Sequence, residues 1–178
     1  INNFFETLKK EEPIDFKERK TIAGKRYLLT YIPSIVNFKV FINLDFSFRE
    51  KILLKEKSII NTDFPVIFHS YIKHLDKDEL LAEKIRAFLK RQEGRDIYDI
   101  WYLLNKKAVL NEKIILEKLK YYKIDSFDKK DILAKMDIFS KKDFILDLKP
   151  FVSIGEREKL GDLFDYLKDC IRESLKVY

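Results

Sequence analysis

Every second residue from Phe38 to Arg49 is apolar, and this period constrains the fold more than any other part of the sequence. The apolar positions are Phe38, Val40, Ile42, Leu44, Phe46 and Phe48. The positions between them are Lys39, Phe41, Asn43, Asp45, Ser47 and Arg49. Because successive side chains of a strand point to opposite faces, the alternation predicts a β-strand with one buried face and one polar face.

Weaker signals on both sides of this strand predict one helix and more sheet. Pro13 stops the first helical pattern, and Ala23-Gly24 favours a hairpin between two strand-like segments. The expected elements are a helix over Ile1 to Glu12 and strands over Phe16 to Ile22, over Lys25 to Ile32, within Ile52 to Ile60 and over Phe64 to Tyr71.

The chain turns helical at Asp76, which has capping-box spacing to Glu79. The expected helices cover Lys77 to Gln92, Asp96 to Lys106, Glu112 to Tyr122, Lys129 to Phe139, Lys141 to Leu148 and Glu156 to Lys176. Strands first and helices afterwards predict an α+β chain. We expect a sheet lobe over residues 1–75 and a helical lobe over residues 76–178.

A pattern of charges is superimposed on the first two of these helices. Leu81, Ile85, Phe88 and Gln92 form the apolar stripe that should face a core, while Leu80, Lys84, Ala87 and Arg91 form a second stripe. Gly94 interrupts the helix, Asp96 is expected to cap the next one, and Asp99 falls in its first turn. Periodicity alone favours a solvated helix face over a functional site.

The segment from Ala82 to Leu104, AEKIRAFLKRQEGRDIYDIWYLL, resembles a motif of the AbiEii/AbiGii toxin-type nucleotidyltransferases. These belong to the polymerase-beta-like nucleotidyltransferase superfamily. The motif is a helix with A-E-K-x-x-A, then an arginine, then R-D-x-Y-D before an apolar run. The matching residues here are Ala82, Glu83, Lys84, Ala87, Arg91, Arg95, Asp96, Tyr98 and Asp99. The resemblance extends to the preceding strand and, more loosely, to the helical tail.

The resemblance implies a Mg²⁺-dependent enzyme that transfers a nucleotide from an NTP, and it implies roles for individual residues. Asp45 is similar to the third metal-binding acid of the family's sheet. Lys84 is expected to clamp phosphates, with Arg91 and Arg95 as further candidates. Asp96 resembles the first acid of R-D-x-Y-D and is expected to orient Lys84 or to take part in the site.

Asp99 is expected to brace the corner by pairing with Arg91 or Arg95. We expect the sheet carboxylate of Asp45 and the cationic helix corner to converge on one phosphate-sized cleft. The resemblance also implies a partial nucleotidyltransferase sheet in the first lobe, of mixed or antiparallel type.

The family's opening signature, a Gly-Ser or Gly-Gly turn followed by Asp-x-Asp, is missing from these 178 residues. The Asp76-Lys77-Asp78 run has the spacing but lacks the glycine turn, and we interpret it as a helix cap. The expectation is an incomplete chain without its N-terminal third, inactive alone because the paired metal-binding aspartates are absent. The resemblance further implies a type IV toxin–antitoxin or phage-defence system with a cognate antitoxin, and a tRNA 3′ end or a protein hydroxyl as acceptor.

Composition excludes some classes and permits others. The net charge of +6 permits nucleic-acid binding and mildly favours an RNA acceptor. No apolar run approaches the ~20 residues of a membrane span, so no membrane partner is expected. The single cysteine, Cys170, excludes an internal disulfide and is typical of a reducing cytoplasm.

Three other interpretations remain open at this point. The spacing of His74, Asp76 and Asp78 fits a metal site, although the helix cap explains the aspartates. The second hypothesis, after the nucleotidyltransferase, is a non-catalytic nucleic-acid-binding or regulatory protein that has lost the catalytic turn. A third hypothesis is an interaction module whose tail, Glu156 to Tyr178, binds a partner chain.

Overall fold

The computed structural model describes residues 2–11, 13–22, 24–49, 51–59, 63, 71–91 and 93–175. The chain divides into two compact units, a sheet unit, Ile1–Lys51, and a helical unit, Ile52–Tyr178. Seven α-helices and two antiparallel sheets lie within the described ranges. The predicted α+β class is confirmed.

The sheet unit contains one helix and one antiparallel sheet. Its elements are α1 (Asn2–Glu11), β1 (Ile14–Thr21), β2 (Gly24–Tyr31) and β3 (Val40–Ser47). The strands lie in the order β1-β2-β3, so β2 is central. All four elements were predicted, while Ala23 of the predicted turn lies outside the described residues.

The core of the sheet unit is small and aromatic. Phe5 of α1 and Tyr27 of β2 are buried with ring centroids 4.7 Å apart. Leu44 and Phe46 of β3 pack against this core, but Ile42 on the same face is half-exposed. The predicted strand is therefore confirmed, and its apolar face is only partly covered because the core reaches one end of β3.

A second, two-stranded sheet belongs to the helical unit. It pairs β4 (Lys55–Ser58) with β5 (Ile72–Leu75) in antiparallel register. The backbone N–H of Asp76 donates to the carbonyl of Leu54 at 3.2 Å, which ties the chain before β4 to the start of the helices. The boundary between the two compact units therefore lies between residues 51 and 52. The sequence pattern changes from strands to helices later, between residues 75 and 76. The predicted strand over Phe64 to Tyr71 lies outside the described residues except for Tyr71.

The remaining helices follow the predicted order closely. They are α2 (Lys77–Lys90), α3 (Gly94–Asn105), α4 (Glu112–Lys120), α5 (Lys129–Ile138), α6 (Lys141–Leu148) and α7 (Leu160–Leu175). Two 3₁₀ turns, Lys149–Phe151 and Ile154–Lys159, precede α7. The last predicted helix thus begins as a 3₁₀ turn and becomes α-helical only at Leu160.

The core of the helical unit confirms the predicted apolar stripe. Leu81, Ile85 and Phe88 of α2 are buried together with Ile97 and Ile100 of α3. The fourth member of the stripe, Gln92, lies outside the described residues. This packing fixes the rotation of α2 and α3, and it leaves their charged residues at the edge of the helix–helix contact.

Candidate functional site

A close backbone contact sets the corner between α2 and α3. A Cβ atom on Gly94 would lie 2.7 Å from the Cα of Phe144 in α6, which is too close for any side chain. The backbone N–H of Gly94 donates to a carboxylate oxygen of Asp147 at 2.6 Å. Glycine at this position therefore lets the start of α3 rest directly on α6.

Asp96 is not the N-cap that the sequence predicted. Helix α3 begins at Gly94 with Glu93 as its N-cap residue, so Asp96 lies inside the first turn. The prediction was wrong because Gly94 is itself helical and moves the start of the helix toward the N-terminus. The Asp96 side chain is fully buried, and its two oxygens accept from Nε and Nη2 of Arg91, both at 2.9 Å. The hydrogen bond to Asp96 raises the pKa of Arg91, against a smaller opposing effect of burial.

Lys84 pairs with Asp99, and Nζ lies 2.6 Å from Oδ2. The expected pairs were wrong, because Lys84 pairs with Asp99 and not with Asp96, and Arg91 pairs with Asp96 and not with Asp99. The alternative expectation, that Asp96 takes part in the site, stays a prediction. Arg91 and Asp96, which lie nearer the corner, pair with each other. Lys84 and Asp99, which lie farther along α2 and α3, form the next pair. The Lys84 and Asp99 side chains are 31% and 34% exposed, so a ligand can reach this pair.

Arg95 turns toward the residue that precedes α3. Its guanidinium lies 2.6 Å from Oε2 of Glu93, and Nη1 of Arg91 lies 3.5 Å from the other oxygen of Glu93. The corner thus combines three cations, Lys84, Arg91 and Arg95, with three carboxylates, Glu93, Asp96 and Asp99. A bound anion would have to compete with these internal partners.

A cavity of about 670 Å³ opens beside this corner. Arg95, Tyr98 and Asp99 line one side of it, and the other lining residues come from α6, the 3₁₀ turns and α7. Those residues are Leu148, Phe151, Val152, Glu156, Lys159, Leu160 and Leu163. Lys84, Lys90 and Arg91 line a separate groove of about 180 Å³. Cavities of about 300–1,000 Å³ with mostly apolar walls and a few charged groups suit small organic ligands.

Asp45 lies on β3, in the sheet unit, opposite Arg26 of β2. Arg26 Nε lies 2.5 Å from Oδ1 of Asp45, and Nη2 lies 3.1 Å from Oδ2. This hydrogen bonding to Asp45 raises the pKa of Arg26. Both carboxylate oxygens are thus engaged by one guanidinium.

The part of the chain that the structure describes does not assemble a metal site. No group of three or more His, Cys, Asp or Glu residues in it lies in a metal-binding arrangement. Mg²⁺ is usually held by one or two carboxylates together with substrate phosphates and water. Asp45 can supply only one such ligand, and only after release from Arg26, so these residues alone do not fit the ion.

The side chains of His74, Asp76 and Asp78 form hydrogen bonds within the protein. The ring of His74 bonds with Oγ of Ser58 at 2.9 Å and with the carbonyl of Leu75 at 2.7 Å. Asp76 is the N-cap of α2 and accepts from the N–H of Asp78, which confirms the cap interpretation. Asp78 in turn accepts from the N–H of Val109 at 2.8 Å.

Only the Asp76 half of the predicted capping box forms. The Glu79 half was wrong, because the Glu79 side chain turns into the core. The fully buried Glu79 carboxylate accepts from the backbone N–H groups of Leu53 and Leu54. It also lies 2.5 Å from Nζ of Lys118, which is only 4% exposed and lies 2.8 Å from Glu83. Burial lowers the pKa of Lys118, but hydrogen bonds to Glu79 and Glu83 outweigh it and the pKa is raised.

This ion cluster was missed by sequence reasoning, although one signal existed. The buried apolar residues of α4 are Ile114, Ile115 and Leu119, and Lys118 is buried in the same stripe. A lysine within an apolar stripe indicates a buried cation that requires a carboxylate partner.

The family described as nucleotidyl transferase AbiEii toxin, type IV TA system, matches the sequence over residues 1–171. Comparison with curated proteins and with solved structures gave no significant match. None of the helices in the described ranges combines the length and the apolar character that a bilayer span requires.

Proposed function

Since the chain belongs to the AbiEii family of nucleotidyltransferase toxins of type IV toxin–antitoxin systems, we propose that it takes part in the Mg²⁺-dependent transfer of a nucleotide from an NTP to an acceptor hydroxyl. The acceptor in this proposal is an RNA of tRNA type, with a protein hydroxyl as the alternative. The net charge of +6 supports the RNA. A cognate antitoxin in the same cytoplasm would restrain the activity.

The observation that carries the proposal is the Lys84–Asp99 pair beside a ligand-sized cavity. An ammonium group held at 2.6 Å from a carboxylate has a defined position, and its partial exposure leaves it accessible to phosphate oxygens. In the proposal Lys84 contacts the triphosphate of the NTP. Asp99 lines the cavity of about 670 Å³ and positions Lys84, while Arg95 on the same wall is a second phosphate contact.

Asp96 and Arg91 have a positioning role in this proposal. Both oxygens of Asp96 accept from Arg91 and the carboxylate is fully buried, so a ligand does not reach it in this arrangement. The pair holds the corner from which Lys84 and Asp99 extend. The Nη1 group of Arg91, which lies 3.5 Å from Glu93, remains the part of this pair best placed to contact a substrate.

Asp45 is proposed as one ligand of the metal ion. Bound Mg²⁺ would offset the charge that develops on the transferring phosphate. The described residues do not complete such a site, so the assignment of Asp45 rests on the resemblance of its strand to the family.

The test is nucleotide transfer by the full-length protein that its gene encodes. The protein is incubated with each α-³²P-labelled NTP, total RNA and Mg²⁺, and the label is followed after ribonuclease or protease treatment. We expect ribonuclease-sensitive label, which Lys84→Met abolishes.

The matched control is Lys141→Met. Lys141 also lies 2.6 Å from a carboxylate, that of Asp165, but on the exposed surface of α6 and α7. Equal labelling by the Lys84→Met and Lys141→Met proteins would contradict the role of Lys84. RNA binding without any labelling would favour the non-catalytic nucleic-acid-binding protein instead.

A further inference from the structure

Two lysines face each other across the β4–β5 hairpin. Lys57 of β4 and Lys73 of β5 are directly opposite in the antiparallel register, so their side chains leave the same face of the ribbon. Lys55 lies two residues before Lys57 and therefore shares that face, opposite Leu75. We call Lys55, Lys57 and Lys73 the lysine face.

No carboxylate neutralises the lysine face within the described part of the chain. Glu56 is the only acidic residue of the two strands, and the alternation of the strands places it with His74 on the opposite face. Among the described residues, the side chains of these three lysines form no ion pair or hydrogen bond. Like charges directly opposite in a ribbon oppose its pairing, and a bound anion removes this repulsion.

The surroundings of the lysine face suit an extended polyanion. The hairpin lines an open groove of about 700 Å³, and its lining includes Lys55, Lys57 and Lys73 together with Glu56 and His74, so three cations outnumber one carboxylate there. Tyr71, two residues before Lys73 and directly before β5, is 67% exposed. Exposed aromatic rings next to ammonium groups are the elements with which proteins stack bases and contact phosphates of single-stranded nucleic acid.

We propose that the lysine face binds the phosphate backbone of RNA, with Tyr71 available to stack on a base. This inference rests on the proposed function in its choice of RNA, because that proposal names an RNA acceptor. The hairpin is tied to the helical unit by the contacts of Leu53 and Leu54 with Glu79, so RNA bound there is held by the same unit as Lys84.

The experiment measures the affinity of fluorescein-labelled single-stranded RNA and of tRNA at several salt concentrations. The test protein is Lys57→Gln/Lys73→Gln. The matched control is Lys113→Gln/Lys142→Gln, which removes the same net charge from two exposed helical lysines. Each lost phosphate contact lowers the slope of log K against log salt by about 0.7 for single strands.

We expect the RNA affinity of the hairpin variant to fall about tenfold at low salt. Because two phosphate contacts are lost, the slope of log K against log salt should fall by about 1.4. The control variant should change neither quantity. An unchanged slope, or equal losses in the two variants, would overturn the inference. So would binding to phosphatidylserine vesicles that depends on Lys57 and Lys73 while RNA affinity stays the same. The melting temperature of the hairpin variant should not fall, because the substitution removes a like-charge pair.

The outcomes separate this inference from the proposed function. Labelling that is lost in Lys84→Met, together with unchanged RNA affinity in the hairpin variant, would keep the nucleotidyl transfer and reject the RNA surface. Reduced RNA affinity in the hairpin variant, without labelling by any form of the protein, would keep the surface and reject the transfer.

Discussion

Nζ of Lys84 lies 2.6 Å from Oδ2 of Asp99, and this pair is farther from the α2–α3 corner than the pair of Arg91 and Asp96. The two neighbouring pairs differ in their contact with water. Asp96 is fully buried, whereas the side chains of Lys84 and Asp99 are both about one-third exposed. The inner pair is therefore expected to contribute to stability, and the outer pair to ligand binding.

Asp99→Asn should reduce nucleotide transfer while leaving the protein folded. An ion pair of this exposure contributes at most about 1 kcal/mol, so its loss should hardly change the free energy of unfolding. The KM for the NTP should rise because Lys84 loses its partner. The measurements are labelling kinetics and urea unfolding, with Asp165→Asn, which breaks the Lys141 pair, as the control. Unchanged kinetics would contradict the positioning role of Asp99.

Arg91→Ala should destabilise the protein much more than Arg95→Ala. Loss of Arg91 leaves the buried carboxylate of Asp96 without its partner, which costs about 3 kcal/mol, the lower end of the range for buried pairs. Arg95 pairs with the more exposed Glu93, so its loss should cost less than about 1 kcal/mol. Urea unfolding of both variants provides the comparison. Similar losses would mean that Asp96 finds another partner or is hydrated.

Acidification should remove a contribution of Glu79 to stability. Burial raises the pKa of Glu79, but hydrogen bonds from Lys118 and from the N–H groups of Leu54 and Leu53 outweigh it, so the pKa lies below its ordinary value of 4.5. The folded state thus binds this proton less readily than the unfolded state. The contribution is present above about pH 4.5 and is lost as the pH falls through the lowered value.

The check is the free energy of unfolding from pH 7 down to pH 3 for the wild type and for Glu79→Gln. We expect the Glu79→Gln protein to be less stable at pH 7, by less than the roughly 3–5 kcal/mol that an unpaired buried charge costs, because Lys118 loses one carboxylate partner but keeps Glu83 at 2.8 Å. Its loss of stability on acidification should be shallower than that of the wild type. Glu156→Gln, which alters an exposed pair with Lys159, should leave the pH profile unchanged. Parallel profiles for all three proteins would refute the prediction.

Gly94→Ala should destabilise the α2–α3 corner although alanine favours helices. The added methyl group would meet the backbone of Phe144, which cannot move aside as the end of a flexible side chain can. Overpacking of this kind costs about 1–3 kcal/mol. Gly155→Ala is the control, because a Cβ there meets no atom within 4 Å. Thermal unfolding should separate the two variants, and equal melting temperatures would show that α3 and α6 can move apart.

Much of the fold was predictable because its signals are local. The period of two in residues 38–49 predicted β3, and the period of Leu81, Ile85 and Phe88 predicted the buried face of α2. These patterns need no knowledge of what packs against them. The family motif likewise identified the segment that forms the α2–α3 corner.

The charged pairs were harder to predict because their partners come from different elements. Glu79 is 39 residues from Lys118, so no local window contains both residues. Within the motif, the sequence brought Lys84, Arg91, Asp96 and Asp99 together but paired them incorrectly. The correct pairs depend on where α3 begins, and the contact of Gly94 with Phe144 sets that point.

The carboxylate of Glu79 accepts from the backbone of Leu53 and Leu54, and this contact determines which truncated forms of the protein should stay folded. A truncated form that begins at Asp76, where the sequence changes from strands to helices, would lack the N–H donors of Leu53 and Leu54. Its buried ion cluster would be open to water. A form that begins at Ile52 would keep these donors. An isolated C-terminal piece made for crystallisation or binding studies should therefore begin about two dozen residues earlier than its helices suggest.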